Sequence, residues 1–268
     1  MQPPVPLCVV DAFASKPFAG NPAAVCFPAP DATAAWMQSV AAELALSETA
    51  FVVPQDDGSW GLRWFTPTRE VDLCGHATLA SAHALWESGR LARTEPARFL
   101  TRGGWLRCEV ATDASIRMDF PARPAHACEI PQGLANALGS DIRWCGRSAD
   151  DLLLELPHAS VVRSLAPDLG VLASLPVRGV IVTAVSDAPG HDFVSRFFAP
   201  AAGVPEDPVT GSAHCTLGPF WAARLGRTSL RGWQASRRGG LVTVECHFER
   251  VTLSGHAVTT WRGEWVAR

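Results

Sequence analysis

Short apolar runs separated by turn residues recur along most of this chain. LCVVDAF (7–13), AFVVP (50–54), LRCEV (106–110), SIRMDF (115–120), GVIVTAV (179–185) and LVTVECHF (241–248) have the length and β-branched or aromatic content of strands. A different period governs ATAAWMQSVAAELAL (32–46), where Trp36, Met37, Val40 and Leu44 share one helical face and Asp31 stands ready to cap it. LASAHALWESGR (79–90) and CTLGPFWAARLGR (215–227) are also of helical length, each closing on Gly-Arg. Strands follow one another across turns more often than across helices. The pattern predicts an α+β fold with mainly antiparallel sheets and one or two helices in each half.

The chain also repeats itself. RWFTPTREVDLCGHA begins at Arg63, and RFFAPAAGVPEDPVTGSA begins at Arg196. Both open Arg-aromatic-Phe-x-Pro, reach Gly-polar-Ala and run into a helical stretch, an ordered set of matches that argues for duplication. We expect an N-terminal half over 1–122 and a C-terminal half over 123–268. PARPAHACEIPQG (121–133), with three prolines, is the linker, and TWRGEWVAR (260–268) is a last strand able to pair in either half.

Composition narrows the class. The 268 residues are 47% hydrophobic and 18% charged, enough apolar content for a real core. A formal charge of -3 gives no electrostatic footprint for nucleic acid. No apolar run reaches 18 residues, so no membrane span is expected. MQPPVPLCVVDAF lacks the basic start of a signal peptide and reads as a first strand. The eight cysteines form no C-x-x-C pair, which suits free thiols in a reducing, cytoplasmic setting. Ten tryptophans among few charges leave apolar surface to cover, and a homodimer is expected.

In each copy of the repeat an extended segment meets a helix, at Gly75-His76 and at Gly211-Ser212. Helix starts expose backbone N–H groups and favour anions, and glycine lets a ligand approach the backbone. Two packed halves would bring both starts to one cleft for a carboxylate, or for the charge that develops when a carbon acid loses a proton. Taken singly, Asp207 also reads as a helix cap, Ser212 as a first-turn residue and His76 as a packed histidine. His76 and His83, seven apart, hint at a metal, but no carboxylate or third ligand stands beside them in the sequence, so no metal is expected. Glu48, in LALSETAFVV (44–53), sits at a helix-to-strand junction with apolar flanks that would raise its pKa toward neutrality. A solvent-facing turn glutamate is the other reading. No P-loop, G-x-G-x-x-G, G-x-S-x-G or H-E-x-x-H occurs, and no cofactor is expected.

VDAFASKPFAGNPAAVC, LSETAFV, RWFTPTREVDLCGHATLA and SRFFAPAAGVPEDPVTGSAH occur in the order found in the PhzF family of phenazine-biosynthesis-like isomerases, and the chain resembles that family over most of its length. The resemblance implies a diaminopimelate epimerase-like fold: two similar halves in pseudo-twofold relation, each a curved, mostly antiparallel sheet around a central helix. It implies cofactor-independent movement of a proton within a small carboxylate-bearing metabolite, as in the isomerisation of trans-2,3-dihydro-3-hydroxyanthranilate. By motif, Glu48 is the general acid/base, with His76, Asp207 and Ser212 the other catalytic residues. Gly75, Gly211, Asn21, Cys74 and Thr210 would line the substrate site. Related epimerases oppose two cysteines, but Thr210 stands where the second would be, so a two-thiol racemase is not expected. An epimerase using Glu48 with Cys74, and a non-catalytic metabolite-binding protein, are the alternatives.

Overall fold

Runs of β-branched and aromatic residues become strands wherever one or both of their faces can be covered. The computed structural model describes residues 4–266. They run in the order β1 (Val5–Ala12), β2 (Asn21–Cys26), α1 (Ala34–Leu44), β3 (Glu48–Pro54), β4 (Trp60–Phe65), β5 (Glu70–Val71), α2 (Gly75–Glu87), β6 (Ala97–Thr101), β7 (Gly104–Val110) and β8 (Ile116–Pro121). There follow β9 (His126–Ala127), α3 (Leu134–Leu138), β10 (Trp144–Arg147), β11 (Asp151–Glu155), α4 (Ala159–Ser164), α5 (Leu169–Ala173), β12 (Gly179–Val185) and β13 (Phe193–Ala199). After a 3₁₀ turn (Pro200–Ala202) come β14 (Val204–Asp207), α6 (Gly211–Leu225), β15 (Ser229–Gln234), β16 (Gly240–His247), β17 (Arg250–Gly255) and β18 (Ala257–Trp265).

Two units emerge. One comprises Met1–Asp119 with Ser254–Arg268, the other Phe120–Leu253. The division thus falls three residues before the expected 122/123, and the C-terminal strand groups with the first unit, where β18 runs antiparallel to β1. The linker carries structure of its own, since β9 pairs with β10.

The duplication persists strand by strand. In the first unit β1 is antiparallel to β2, β2 parallel to β3, β3 antiparallel to β4, β4 antiparallel to β5 and parallel to β6, and β6 antiparallel to β7. In the second, β10, β11, β12, β13, β14, β15 and β16 repeat those relations in the same order. Parallel neighbours need a crossover, which α1 supplies in one unit and α4 with α5 in the other. The short α3, α4 and α5 exceed the expected helix count. At five or six residues they give too little periodicity to read. Helix α1 is capped by Thr33, whose hydroxyl accepts the Trp36 N–H, and not by Asp31.

Helices α2 and α6 occupy equivalent places in the two units. Along α2, Ala77, Leu79, Ala80, Ala82 and Leu85 are all buried, as are Ala213, Cys215, Leu217 and Trp221 on α6. A helix apolar on every side belongs in a core, and alanine and glycine let the surrounding strands come close. On α2 the buried hydroxyls are satisfied locally: Thr78 donates to the Cys74 carbonyl at 2.6 Å and Ser81 to that of Ala77 at 2.7 Å. Pro219 interrupts α6 and offers no N–H to the Cys215 carbonyl, one turn earlier. The backbone N–H of Arg123, from the linker, fills that vacancy at 2.9 Å. Among the described residues no helix is long and apolar enough to cross a membrane.

Gly20 leads into β2 with φ +64°, and a Cβ there would stand 2.1 Å from the Ala12 carbonyl oxygen. Gly58 has φ +75° in open space. A left-handed side chain costs about 1–2 kcal/mol by itself. Gly58→Ala should show only that loss in denaturant unfolding, and Gly20→Ala a clearly larger one. Equal losses would mean that the close approach at Gly20 carries no energetic weight.

Candidate functional site

Strand pairing and the start of α2 gather four of the sequence-predicted residues in the first unit. Asn21 begins β2 and Glu48 begins β3, and because β2 and β3 are parallel, Glu48 stands opposite Ala23, two residues along from Asn21. Cys74 and His76 straddle the first residue of α2. The Glu48 carboxylate Oε2 lies 3.2 Å from His76 Nε2, the Cys74 sulfur lies 3.5 Å from His76 Nδ1, and the Asn21 amide nitrogen lies 3.2 Å from the same Nδ1. Asn21, Cys74 and His76 are buried, while Glu48 keeps some exposure, its side chain 18% accessible. Oε2 is itself buried against the His76 ring, so the exposure belongs to the rest of the side chain.

The electrostatics correct the expectation for Glu48. Burial does raise its pKa, but the hydrogen bond and charge of His76 outweigh burial, helped by hydrogen bonds with Ser47 and Cys74, and the net shift is downward. The apolar flanks were legible in the sequence, whereas the histidine 28 positions on was not. For His76, burial opposes charging, yet the Cys74 sulfur and the Glu48 carboxylate carry its pKa well above the ordinary value. Burial and Glu48 raise the Cys74 thiol, which stays neutral. The Asn21 amide selects the ring's protonation state. With Nδ2 facing Nδ1, that nitrogen accepts and Nε2–H points at Glu48; a half-turn of the amide presents Oδ1 and holds the imidazolium.

Glu48, Cys74 and His76 place three potential metal-ligating atoms within 4.8 Å of one another, a carboxylate and a third donor that the sequence did not reveal beside His76. Nε2 lies 3.2 Å from the Glu48 carboxylate and 4.0 Å from the sulfur, which is itself nearer Nδ1 at 3.5 Å. His83 goes elsewhere, to Glu87 at 3.3 Å and Thr259 at 3.1 Å.

The second unit gathers the other predicted residues. Asp207 ends β14, Thr210 precedes α6, and Gly211 and Ser212 open it. Asp207 does not cap the helix; its carboxylate accepts from the Thr210 hydroxyl. Neither Thr210 nor Cys74, the residues preceding the two helices, makes a side-chain capping bond. Three further residues, which no sequence motif marks, hold this group in place. Gln234, fully buried on β15, accepts the Thr210 N–H at 2.9 Å and donates to the Asp207 carbonyl at 2.8 Å. Arg178 donates to the Ser212 hydroxyl at 3.0 Å while Asp151, 27 positions earlier, holds its guanidinium bidentately. Glu206 is occupied by Arg196 in a two-point pair at 2.6 and 2.9 Å, and Glu70 pairs with Arg63 in the same way in the other copy. The repeated arginine therefore braces the strand that leads to each group. Burial drops the His214 pKa to about 4, and its Nδ1–H donates to the Thr210 carbonyl at 2.8 Å, so His214 is a neutral core residue.

The family model described as phenazine biosynthesis-like protein (PhzC-PhzF) matches residues 10–263. A protein of Halalkalibacterium halodurans described as an uncharacterized isomerase is 46% identical over 260 residues, covering 97% of each chain. The crystal structure of a PhzF family protein from Enterococcus faecalis superposes with a TM-score of 0.94 at 41% identity, covering 99% of this chain and 100% of that one. A probable proline racemase from Agrobacterium radiobacter shares the fold alone, with a TM-score of 0.64 at 13% identity over 98% and 93% of the two chains. The α+β fold of curved sheets around central helices is thus that of the PhzF and proline racemase structures. The chain belongs to the PhzC-PhzF, phenazine biosynthesis-like family.

The Glu48–His76 pair fixes a pH dependence. A histidine whose folded pKa is raised adds stability that is complete below its unfolded value of about 6.5 and fades as pH climbs through the folded value. A depressed glutamate adds stability present above about 4.3 and lost as pH falls through its folded value. In NMR titration His76 should remain an imidazolium at pH 7, and Glu48→Gln should lower its midpoint. A neutral His76 ring at pH 7, or a midpoint unmoved by Glu48→Gln, would contradict the pairing.

Proposed function

We propose that the protein is an isomerase in which Glu48 moves a proton within a small carboxylate-bearing metabolite. The observation that carries this reading is a largely buried carboxyl with a lowered pKa, set 3.2 Å from a histidine that can hold positive charge. A carbon acid bound against the accessible part of the Glu48 carboxyl would lose its proton to it. The negative charge left on the substrate would then be stabilised by His76, and the protonated Glu48 would return the proton at another carbon. The same carboxyl serves as base and then as acid, and while protonated it can exchange that proton with solvent. By their match to the family's motif, Asp207 and Ser212 take the part of holding the substrate's polar groups; Arg178 donates to the Ser212 hydroxyl, and Gln234 to the Asp207 backbone carbonyl.

The neutral Cys74 thiol beside His76 favours one further reading. A proton removed by Glu48 and replaced on the opposite face by Cys74 would invert a stereocentre. The Thr210 hydroxyl is committed to Asp207, and it offers no second thiol.

A panel of small cyclic and amino-acid carboxylates incubated with the protein in heavy water separates these outcomes by NMR and chiral analysis. The proposal expects deuterium at carbon with a moved double bond and no inversion, and Glu48→Gln should slow that exchange about 100- to 10,000-fold. Inversion would favour the epimerase. Saturable binding without exchange, or wild-type exchange by Glu48→Gln, would refute the assignment.

A further inference from the structure

Outside the candidate site, one pair of thiols is placed to react. Cys128 follows β9 and is exposed, whereas Cys145 on β10 is 4% exposed and belongs to a core cluster that includes Leu134, Leu138 and Leu154. Their sulfurs lie 3.5 Å apart. The β9–β10 ladder pairs Arg147 with His126 and Gly146 with Ala127, which makes Cys145 and Cys128 the next opposed positions, and the Cys128 N–H donates to the Cys145 carbonyl at 3.1 Å. Directly opposed antiparallel residues have Cα atoms about 4.5–5.5 Å apart, within the span a disulfide bridges. Only the sulfurs must close, to about 2.05 Å, a displacement that side-chain rotation supplies.

We infer that Cys128 and Cys145 are a peroxide-responsive modification site that joins the linker to β10 by a disulfide. The exposed Cys128 is the thiol a hydroperoxide can reach. Its thiolate attacks the peroxide O–O bond and becomes a sulfenic acid, releasing water or an alcohol. The Cys145 sulfur then attacks the sulfenic sulfur; the S–O bond breaks, and the departing hydroxide leaves as water with the Cys145 proton. Two thiols are oxidised by two electrons and one peroxide is reduced. Burial and the neighbouring sulfur hold the Cys145 thiol at about 12, in keeping with a resolving partner and not a first reactant. The residues this bond would join, 128 to the buried 145, fasten to the core a linker already tied to α6 through Arg123 and Cys215. Cys8, Cys26, Cys108 and Cys215 are buried and out of a peroxide's reach.

Fully reduced protein treated with one equivalent of hydrogen peroxide, alkylated and digested without reductant should yield a peptide pair linked through Cys128 and Cys145. The link should disappear on adding dithiothreitol. In Cys145→Ser, Cys128 should be trapped by dimedone as a sulfenic acid, and in Cys128→Ser no link should form while Cys145 stays reduced. Thermal melting of the oxidised wild type should lie above that of the reduced form. The inference is overturned if Cys128 in the wild type advances to sulfinic acid without a link. It is equally overturned if the half-buried Cys246 oxidises while Cys128 remains a thiol.

Discussion

Each unit is organised around a helix that is buried on nearly every side. That position favours small and apolar residues along the helix body, and on α2 the hydroxyls of Thr78 and Ser81 bond back to their own helix. Polar chemistry survives only at the helix start. There the two copies diverge: Cys74, Gly75 and His76 in one, Thr210, Gly211 and Ser212 in the other. The fold is conserved between copies by apolar packing and strand pairing. The chemistry differs in the three residues at each helix entrance and in what reaches them.

What reaches them is set by pairing between distant segments. In the first unit a parallel β2–β3 pair brings the start of β3 beside the start of β2, and so puts a carboxylate and an amide against the same imidazole. In the second, Gln234 and Arg178 perform the equivalent task for Thr210, Asp207 and Ser212. The bidentate Arg63–Glu70 and Arg196–Glu206 pairs are common to both units. Both arginines also lie over a phenylalanine two residues on, about 5 Å from the ring in each case, as expected for planar guanidinium groups held by a carboxylate.

Much of this was legible in the chain. The strand-rich α+β class, the duplication and the residues Glu48, Cys74 and His76 can be read from short-range pattern or motif, because period-2 runs and a repeated Arg-aromatic-Phe-x-Pro signal are local. Glu48's lowered pKa was not legible, since burial and the His76 contact act in opposite directions and only the distance between them decides the sign. Arg178, Asp151 and Gln234 were missed for a related reason: each is an ordinary polar residue in an apolar or turn context, and its partner is tens of positions away. The three short helices of the second unit and the Thr33 cap escaped because each rests on a single turn of backbone. Glu206 and His214, conspicuous in the sequence, proved to be a strand brace and a neutral core residue.

Glu48 is an ionised carboxylate although its side chain is largely buried. Its side-chain carboxyl can be followed directly by ¹³C NMR in protein labelled at glutamate, with Glu48→Gln identifying the resonance, across a titration from acid to neutral pH. The account predicts a midpoint below the ordinary glutamate value of about 4.3 that moves upward when His76 is replaced by asparagine. A midpoint at or above the ordinary value in the wild type would show that burial dominates after all, and would contradict the assignment of Glu48 as a resting base.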